Sequence, residues 1–138
     1  MLEELDLQEN SINDLKFEVI IPALEDLTSL KSLNLSKNTI SNLSFSTFIT
    51  KVTWLNHLNL AGCILRDEGF QTLLSNIGGI SRLNCNANRF TVFSKNNLIA
   101  FVKSHKLRVH MEMRKQDMHF KEIKKFEKEI REGMENDC

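Results

Sequence analysis

Residues Leu30-Lys-Ser-Leu33-Asn-Leu35-Ser-Lys-Asn38-Thr-Ile40 decide the fold, because their spacing of apolar residues and asparagine recurs along the chain. Four such motifs begin at residues 2, 30, 55 and 80, so their starts lie 28, 25 and 25 residues apart. The other copies are Leu2-Glu-Glu-Leu5-Asp-Leu7-Gln-Glu-Asn10-Ser-Ile12, Leu55-Asn-His-Leu58-Asn-Leu60-Ala-Gly-Cys63-Ile-Leu65 and Ile80-Ser-Arg-Leu83-Asn-Cys85-Asn-Ala-Asn88-Arg-Phe90. A period of this length indicates a solenoid, whose stacked coils bury a core that no single coil could bury alone.

The residue types of the motif predict its local structure. The alternation Leu-x-Leu is typical of a short strand with one buried face. The asparagine that follows can hydrogen-bond backbone groups of the turn, so Asn10, Asn38 and Asn88 are predicted to stack as a ladder. Cys63 occupies that position in the third copy.

The segments between the strands predict helices, because their apolar residues recur at intervals of three and four. The predicted buried stripes are Phe17, Ile20 and Leu24; Phe45, Phe48 and Val52; and Phe70, Leu73 and Ile77. Asp67 is predicted to cap the third helix, and Pro22 to break or shift the first.

The last repeat departs from the pattern. Its helix, near residues 94–104, retains Leu98 and Val102 but has Lys95 where an aromatic residue is expected. A fifth strand over residues 107–111 is predicted to close the array.

The motifs resemble those of leucine-rich-repeat proteins over residues 2–111. The segment Leu58-Asn-Leu60-Ala-Gly-Cys63-Ile-Leu65-Arg-Asp-Glu-Gly69 is most similar to the ribonuclease-inhibitor class. The resemblance implies an α/β solenoid, a right-handed superhelix with a parallel sheet on the concave side and helices on the convex side. It also implies a protein partner bound on the concave face.

Residues 112–138 break the period. Fifteen of them are charged, and Ile123, Phe126 and Ile130 are spaced as on a narrow amphipathic helix, with Lys125–Glu129 and Lys128–Glu132 as supporting pairs. We predict two parts, an array at 1–111 and this C-terminal helix at 112–138. The helix is expected to cap the last repeat, and a free partner-binding helix is the alternative.

The first strand is predicted to be an open edge, because residue 2 already begins a motif. Open edges are normally covered. A chain that is part of a longer protein, or one that self-associates through this edge, would meet that expectation.

Composition excludes several classes of protein. The chain has 138 residues, 41% of them apolar, and 18 basic residues balance 18 acidic ones, which argues against a dedicated nucleic-acid binder. The charge is uneven: residues 1–30 hold eight acidic groups and one basic group, whereas residues 31–111 hold two and ten. No run approaches the roughly 18–20 apolar residues of a membrane span, so we expect none. Met1 leads directly into Leu-Glu-Glu, so we also expect no signal peptide, reduced cysteines and a cytoplasmic or nuclear location.

The candidate binding surface consists of the outward-facing strand positions. Its residues are Glu4, Asp6, Gln8, Ser32, Asn34, Ser36, His57, Asn59, Arg82, Asn84 and Asn86. We predict a non-enzymatic interaction module with no cofactor, since no phosphate loop, metal-ligand spacing or catalytic constellation occurs. The alternatives are a cytoskeletal capping protein similar to tropomodulin, a GTPase-activating regulator and a nucleic-acid contact through the basic middle.

Overall fold

The computed structural model describes residues 1–105, 108–110, 125, 128 and 131–132, with the backbone alone at 103–105 and 108–110. Strands and helices alternate throughout the described array. Their bounds are β1 Glu4–Asp6, α1 Asp14–Glu25, β2 Ser32–Asn34, α2 Asn42–Lys51, β3 His57–Asn59, α3 Asp67–Ser75, β4 Arg82–Asn84, α4 Val92–His105 and β5 Arg108–His110.

The strands form one parallel sheet in sequence order, β1-β2-β3-β4-β5. Equivalent motif positions pair across each junction, so that Leu33 aligns with Leu5 on one side and with Leu58 on the other. The predicted solenoid and its strand register are therefore confirmed, including the fifth strand.

The core lies between the sheet and the helices. The motif positions that face it are buried, including Leu33, Leu35, Leu58, Leu60, Leu83 and Cys85. Helix side chains close it from the other side, with ring centroids 5.2 Å apart for Phe17 and Phe48 and 4.8 Å apart for Phe70 and Phe90. One continuous apolar cluster thus extends through all the described repeats.

The predicted helix stripes are confirmed except at two positions. Ile20 is half-buried and Ile21 takes its place in the core, while Ile77 is half-buried and follows the end of α3. In α4, Leu98 and Val102 are buried as predicted.

Pro22 does not break α1, and that prediction is wrong. The helix is continuous from Asp14 to Glu25 with Pro22 in its interior. Pro22 itself is exposed, and so is Glu18, whose carbonyl would otherwise accept from the N–H at position 22, so the bond that proline removes lies on the solvent side of α1.

The predicted asparagine ladder is present wherever another repeat precedes the asparagine and provides its hydrogen-bond partners. Asn38 Nδ2 donates to Leu7 O at 2.9 Å, and its Oδ1 accepts from the N–H groups of Asn10 and Ile12. Asn88 contacts the third repeat in the same way, through Leu60 O and the Leu65 N–H. Asn10 lies in the first repeat, and its side chain donates a hydrogen bond to Gln8 O within that repeat.

Asp67 is not the N-cap of α3, contrary to the prediction. Arg66 holds the N-cap position without a side-chain cap bond, and Asp67 is the first helical residue. The Asp67 carboxylate instead accepts from the N–H and hydroxyl of Thr91 and from the hydroxyl of Ser94 in the next repeat.

Of the tail, the structure describes Lys125, Lys128, Arg131 and Glu132, which are helical and exposed. Lys128 Nζ lies 3.7 Å from Glu132 Oε1, which confirms one predicted pair. The predicted boundary at 111/112, the contacts of Ile123, Phe126 and Ile130, and the pair Lys125–Glu129 lie outside the described residues.

Candidate functional site: the concave face of the sheet

The first outward-facing column of the sheet changes charge along the solenoid. Register places Glu4 beside Ser32, Ser32 beside His57, and His57 beside Arg82. Glu4 and Arg82 are exposed, and the two residues between them are half-buried. Since neighbouring strands lie about 4.8 Å apart, these side chains form one continuous surface that is acidic at β1 and basic at β4.

The second column consists of Asp6, Asn34, Asn59 and Asn84, and it has a structural role that sequence reasoning missed. Each side-chain oxygen accepts from the N–H two residues later, at distances between 2.9 and 3.1 Å. These Asx turns end each strand in the same way. The oxygens are therefore committed to the fold. Asn34 Nδ2 is also engaged, at 3.1 Å from Gln8 Oε1.

The third column contributes less surface than predicted. Ser36 is buried, and its hydroxyl donates to Asn34 Oδ1 at 2.7 Å. Gln8 is exposed, whereas Asn86 is half-buried. Ser36 thus lies in the predicted column but presents little to a partner. The predicted register is right, and the fully exposed residues of the face are Glu4, Asp6, Gln8 and Arg82.

Basic side chains lie along the turns at the carboxyl ends of the strands. Lys37, Arg66 and Arg89 are all exposed there, in the second, third and fourth repeats. On the opposite side of the strands, Lys31 Nζ is 3.1 Å from Glu3 Oε1. The uneven charge of the sequence thus becomes a spatial gradient along the array.

Comparison with known proteins agrees with this architecture. The model of the family described as Leucine Rich repeat matches residues 26–44 and 52–74. The chain has a leucine-rich-repeat fold, and the family model matches its second and third repeats. A search of curated proteins found no sequence matching it.

Three solved structures show how far the similarity of fold extends. The tropomodulin C-terminal domain from Caenorhabditis elegans has a TM-score of 0.74 at 16% identity, over 99% of this chain and 84% of that one. Leiomodin-1 Actin-Binding Site 2 has a TM-score of 0.72 at 14% identity, over 97% and 79%. The Mex67:Mtr2 subunits from Chaetomium give 0.60 at 12% identity, over 93% and 88%. At these identities the likeness concerns the leucine-rich-repeat fold alone.

The cysteines of the described array are structural. Burial raises the pKa of the Cys63 thiol to about 11, an effect that N–H groups of Asn38 and Ile40 only partly offset. Burial also raises the pKa of Cys85, which is enclosed by the core. Both thiols are thus protonated and unreactive near neutral pH, as predicted. Cys138 lies outside the described residues.

Two further features are absent from the described part of the chain. Among those residues, no group of three or more His, Cys, Asp or Glu side chains is placed to hold a metal ion. None of the helices described has the length and apolar character that crossing a membrane requires.

Sequence reasoning also missed a set of exposed apolar side chains at the helix starts. Leu15, Leu43 and Phe93 are 74%, 71% and 54% exposed. Each is the second residue of its helix. The available signal was an apolar residue standing two positions before the buried stripe begins, at a place where polar residues are usual.

Proposed function

We propose that this leucine-rich-repeat protein is a non-enzymatic interaction module that binds an acidic segment of a partner protein on its concave face. The observation that carries the proposal is the alignment of His57 and Arg82 on adjacent strands, both outward from the core. Arg82 offers a planar set of donors that suits a carboxylate, and the neighbouring imidazole offers a further donor.

The acidic first repeat adds orientation to this interaction. Glu4 and Asp6 are exposed at one end of the face, opposite in charge to Arg82 at the other. A partner segment with carboxylates at one end and basic groups at the other would be complementary in only one direction. Such complementarity favours encounter rate and specificity more than affinity.

Charge reversal at the concave face tests the proposal. The variant His57→Glu/Arg82→Glu is expected to abolish partner capture from the native cell type while leaving the thermal unfolding midpoint near that of the parent. The reason is that like charges would then face the acidic partner, and neither side chain is a core or ladder residue.

Lys51→Glu is the matched control, because Lys51 lies at the end of α2 on the helical side. Its ion pair with Glu25, 3.6 Å long, is exposed and contributes little to stability. Loss of capture in the control but not in the concave variant would refute the choice of surface. Equal loss in both would point to long-range steering, which added salt should then weaken in the parent.

Actin binding is the second candidate. Its support is that two of the similar structures are a tropomodulin C-terminal domain and Leiomodin-1 Actin-Binding Site 2, each aligned over nearly the whole of this chain. Co-sedimentation with actin filaments and the rate of filament elongation test it. Saturable binding or slowed elongation would favour the cytoskeletal role, and neither effect is expected if the partner is unrelated to actin.

A further inference from the structure

The apolar side chains at the helix starts form a row along one edge of the array. We use the name helix-start row for the second residues of the four helices. These are Leu15, Leu43, Glu68 and Phe93. All four are exposed, and three are large and apolar. Val92, the residue preceding Phe93, adds a further apolar side chain that is 37% exposed.

Hydrogen bonds between repeats hold the helix starts in register. The first residues of α1, α2 and α3 each accept from the N–H of the residue that precedes the next helix. The pairs are Asp14 with Ser41 at 2.9 Å, Asn42 with Arg66 at 3.0 Å, and Asp67 with Thr91 at 2.9 Å. The second positions therefore lie side by side, about 8–10 Å apart for packed helices.

The fold gives no reason for apolar residues in this row. First turns favour polar and acidic residues, as Glu68 illustrates in α3. Leu43 and Phe93 instead stand at the starts of α2 and α4, whose first turns contain no acidic residue. Exposed apolar side chains that are aligned in this way are typical of an interaction site.

Basic side chains flank the row in its second half. Arg66 precedes α3, between Leu43 and Phe93, while Arg89 precedes α4, and both are exposed. Neither forms an ion pair with the residues that the structure describes. The nearby Asp67 carboxylate is already occupied by the donors of Thr91 and Ser94.

We propose that the helix-start row is a second interaction surface, separate from the concave face, and that it binds an acidic amphipathic helix of a partner protein. The apolar side chains of that helix would cover Leu15, Leu43 and Phe93. Its carboxylates would face Arg66 and Arg89. Two turns of an α-helix rise about 10.8 Å, which approximates the spacing between neighbouring positions of the row.

The composition of the row favours a protein helix over an anionic membrane. Glu68 lies within the row, exposed, with its Oε2 3.1 Å from Asn42 Nδ2. A carboxylate there would be repelled by anionic headgroups across the whole surface. A partner helix can place a single polar or basic side chain opposite it.

Fluorescence anisotropy with two synthetic peptides tests the proposal. Both are helices of about 20 residues with leucines along one face, and the flanking positions are glutamate in one and lysine in the other. The parent protein is expected to bind the glutamate peptide at least about tenfold more tightly than the lysine peptide. The variant Leu43→Ser/Phe93→Ser is expected to weaken binding by at least about tenfold.

Leu2→Ser is the matched control, since Leu2 is 47% exposed but precedes β1, at the end of the strands away from the helix starts. It should bind the glutamate peptide as the parent does. The variant His57→Glu/Arg82→Glu should also bind it normally, which separates this surface from the concave one. Arg66→Glu/Arg89→Glu provides an independent loss of binding should the apolar double variant fail to fold.

Four results of the peptide titrations would overturn the proposal. They are no saturable binding of the glutamate peptide below about 1 mM, equal binding of both peptides, normal binding by the row variants, and loss of binding in the concave variant alone. Vesicles of phosphatidylcholine with about a quarter phosphatidylserine are tested in parallel. If the parent binds these vesicles more tightly than the glutamate peptide, the ligand of the row is a lipid surface and not a protein helix. If the parent sediments as a dimer and the variant Leu43→Ser/Phe93→Ser sediments as a monomer, the helix-start row binds a second copy of the chain and not a partner helix.

Discussion

At the scale of single residues, Asp14 and Asp67 connect the helix starts of neighbouring repeats. Asp14 accepts from the N–H and hydroxyl of Ser41 and from the hydroxyl of Ser44, as Asp67 does from Thr91 and Ser94. Burial raises the pKa of Asp67, but the hydrogen bonds from Ser94 and Thr91 outweigh it and lower that pKa below its usual value. The ionised form is therefore the one that the fold stabilises.

Asp67→Ala is expected to lower the free energy of unfolding by about 1–2 kcal/mol at neutral pH, because it leaves the Thr91 and Ser94 donors without this acceptor. The folded pKa lies below the unfolded value of about 3.9, so the carboxylate's contribution is complete above that value. It is lost as pH falls through the folded pKa. Urea titrations of both proteins across the acidic range should show the difference between them shrinking towards low pH. A constant difference would contradict this role.

Sequence reasoning succeeded where a residue's role depends on its own repeat and failed where it depends on the neighbouring one. Leu33, Leu58 and Leu83 were assigned to the core from alternation alone, and they are buried there. Asp67 was predicted to cap its own helix because the sequence does not show that Thr91 lies alongside. Apolar periodicity likewise shows which residues pack, but not the exposed residues such as Phe93 that no packing rule requires.

The candidate surface was predictable to a similar extent. Period-two alternation aligned the columns correctly, which the strand register confirms, although Ser36 of the third column is buried. It could not show that the oxygens of Asn59 and Asn84 are used in turns, because an outward asparagine in a binding ridge has the same sequence pattern.

At the scale of elements, the junction between the second and third repeats differs from its neighbours. Cys63 Sγ donates to Leu35 O at 3.4 Å, where Asn38 and Asn88 use an amide at the neighbouring junctions. At the helix starts, Asn42 accepts one hydrogen bond, from the N–H of Arg66. At the equivalent position of the neighbouring junctions, an aspartate accepts from two hydroxyls in addition to an N–H. The polar contacts that hold this junction are therefore weaker both in the asparagine ladder and between the helix starts.

Cys63→Asn is expected to raise stability by about 1 kcal/mol, since an amide would donate to Leu35 O and accept from the N–H groups of Asn38 and Ile40. The thermal midpoint should rise by about 3–5 °C in a chain of this size. The reverse substitution, Asn88→Cys, should lower it, because the N–H of Leu65 would lose its oxygen acceptor. A lower midpoint for both variants would show that the space around Cys63 does not admit an amide.

Gly69 belongs to the same junction and should be coupled to Asn42. A Cβ at Gly69 would stand 2.2 Å from Asn42 Oδ1, whereas the equivalent positions hold Ser44 and Ser94, each donating to an aspartate. Gly69→Ser alone should therefore destabilise the protein. Asn42→Asp/Gly69→Ser should recover at least about 1 kcal/mol relative to the sum of the single changes. Chemical denaturation of all four proteins checks this, and strictly additive effects would contradict the coupling.

At the scale of the whole molecule, the array behaves as one core despite its repetition. Each coil contacts the next through both sheet and helices, and a single apolar cluster runs from Ile12 to Val102. A short solenoid has few interfaces over which to distribute its stability, so the loss of one interface propagates to the others.

Leu58→Asp tests that unity, because Leu58 lies on the central strand β3 and is 2% exposed. A carboxylate there would be buried without a partner, at a cost of several kcal/mol, and should abolish cooperative unfolding of the entire array. Asn59→Asp is the matched control, since it introduces the same side chain one residue later. It should retain the acceptor for the Ala61 N–H, as Asp6 does for Gln8 in the first repeat. Circular dichroism melts distinguish the two. If the Leu58 variant still unfolds near the parent midpoint, the repeats fold independently of one another. The charge gradient and the two proposed interaction surfaces could then not be attributed to one rigid array.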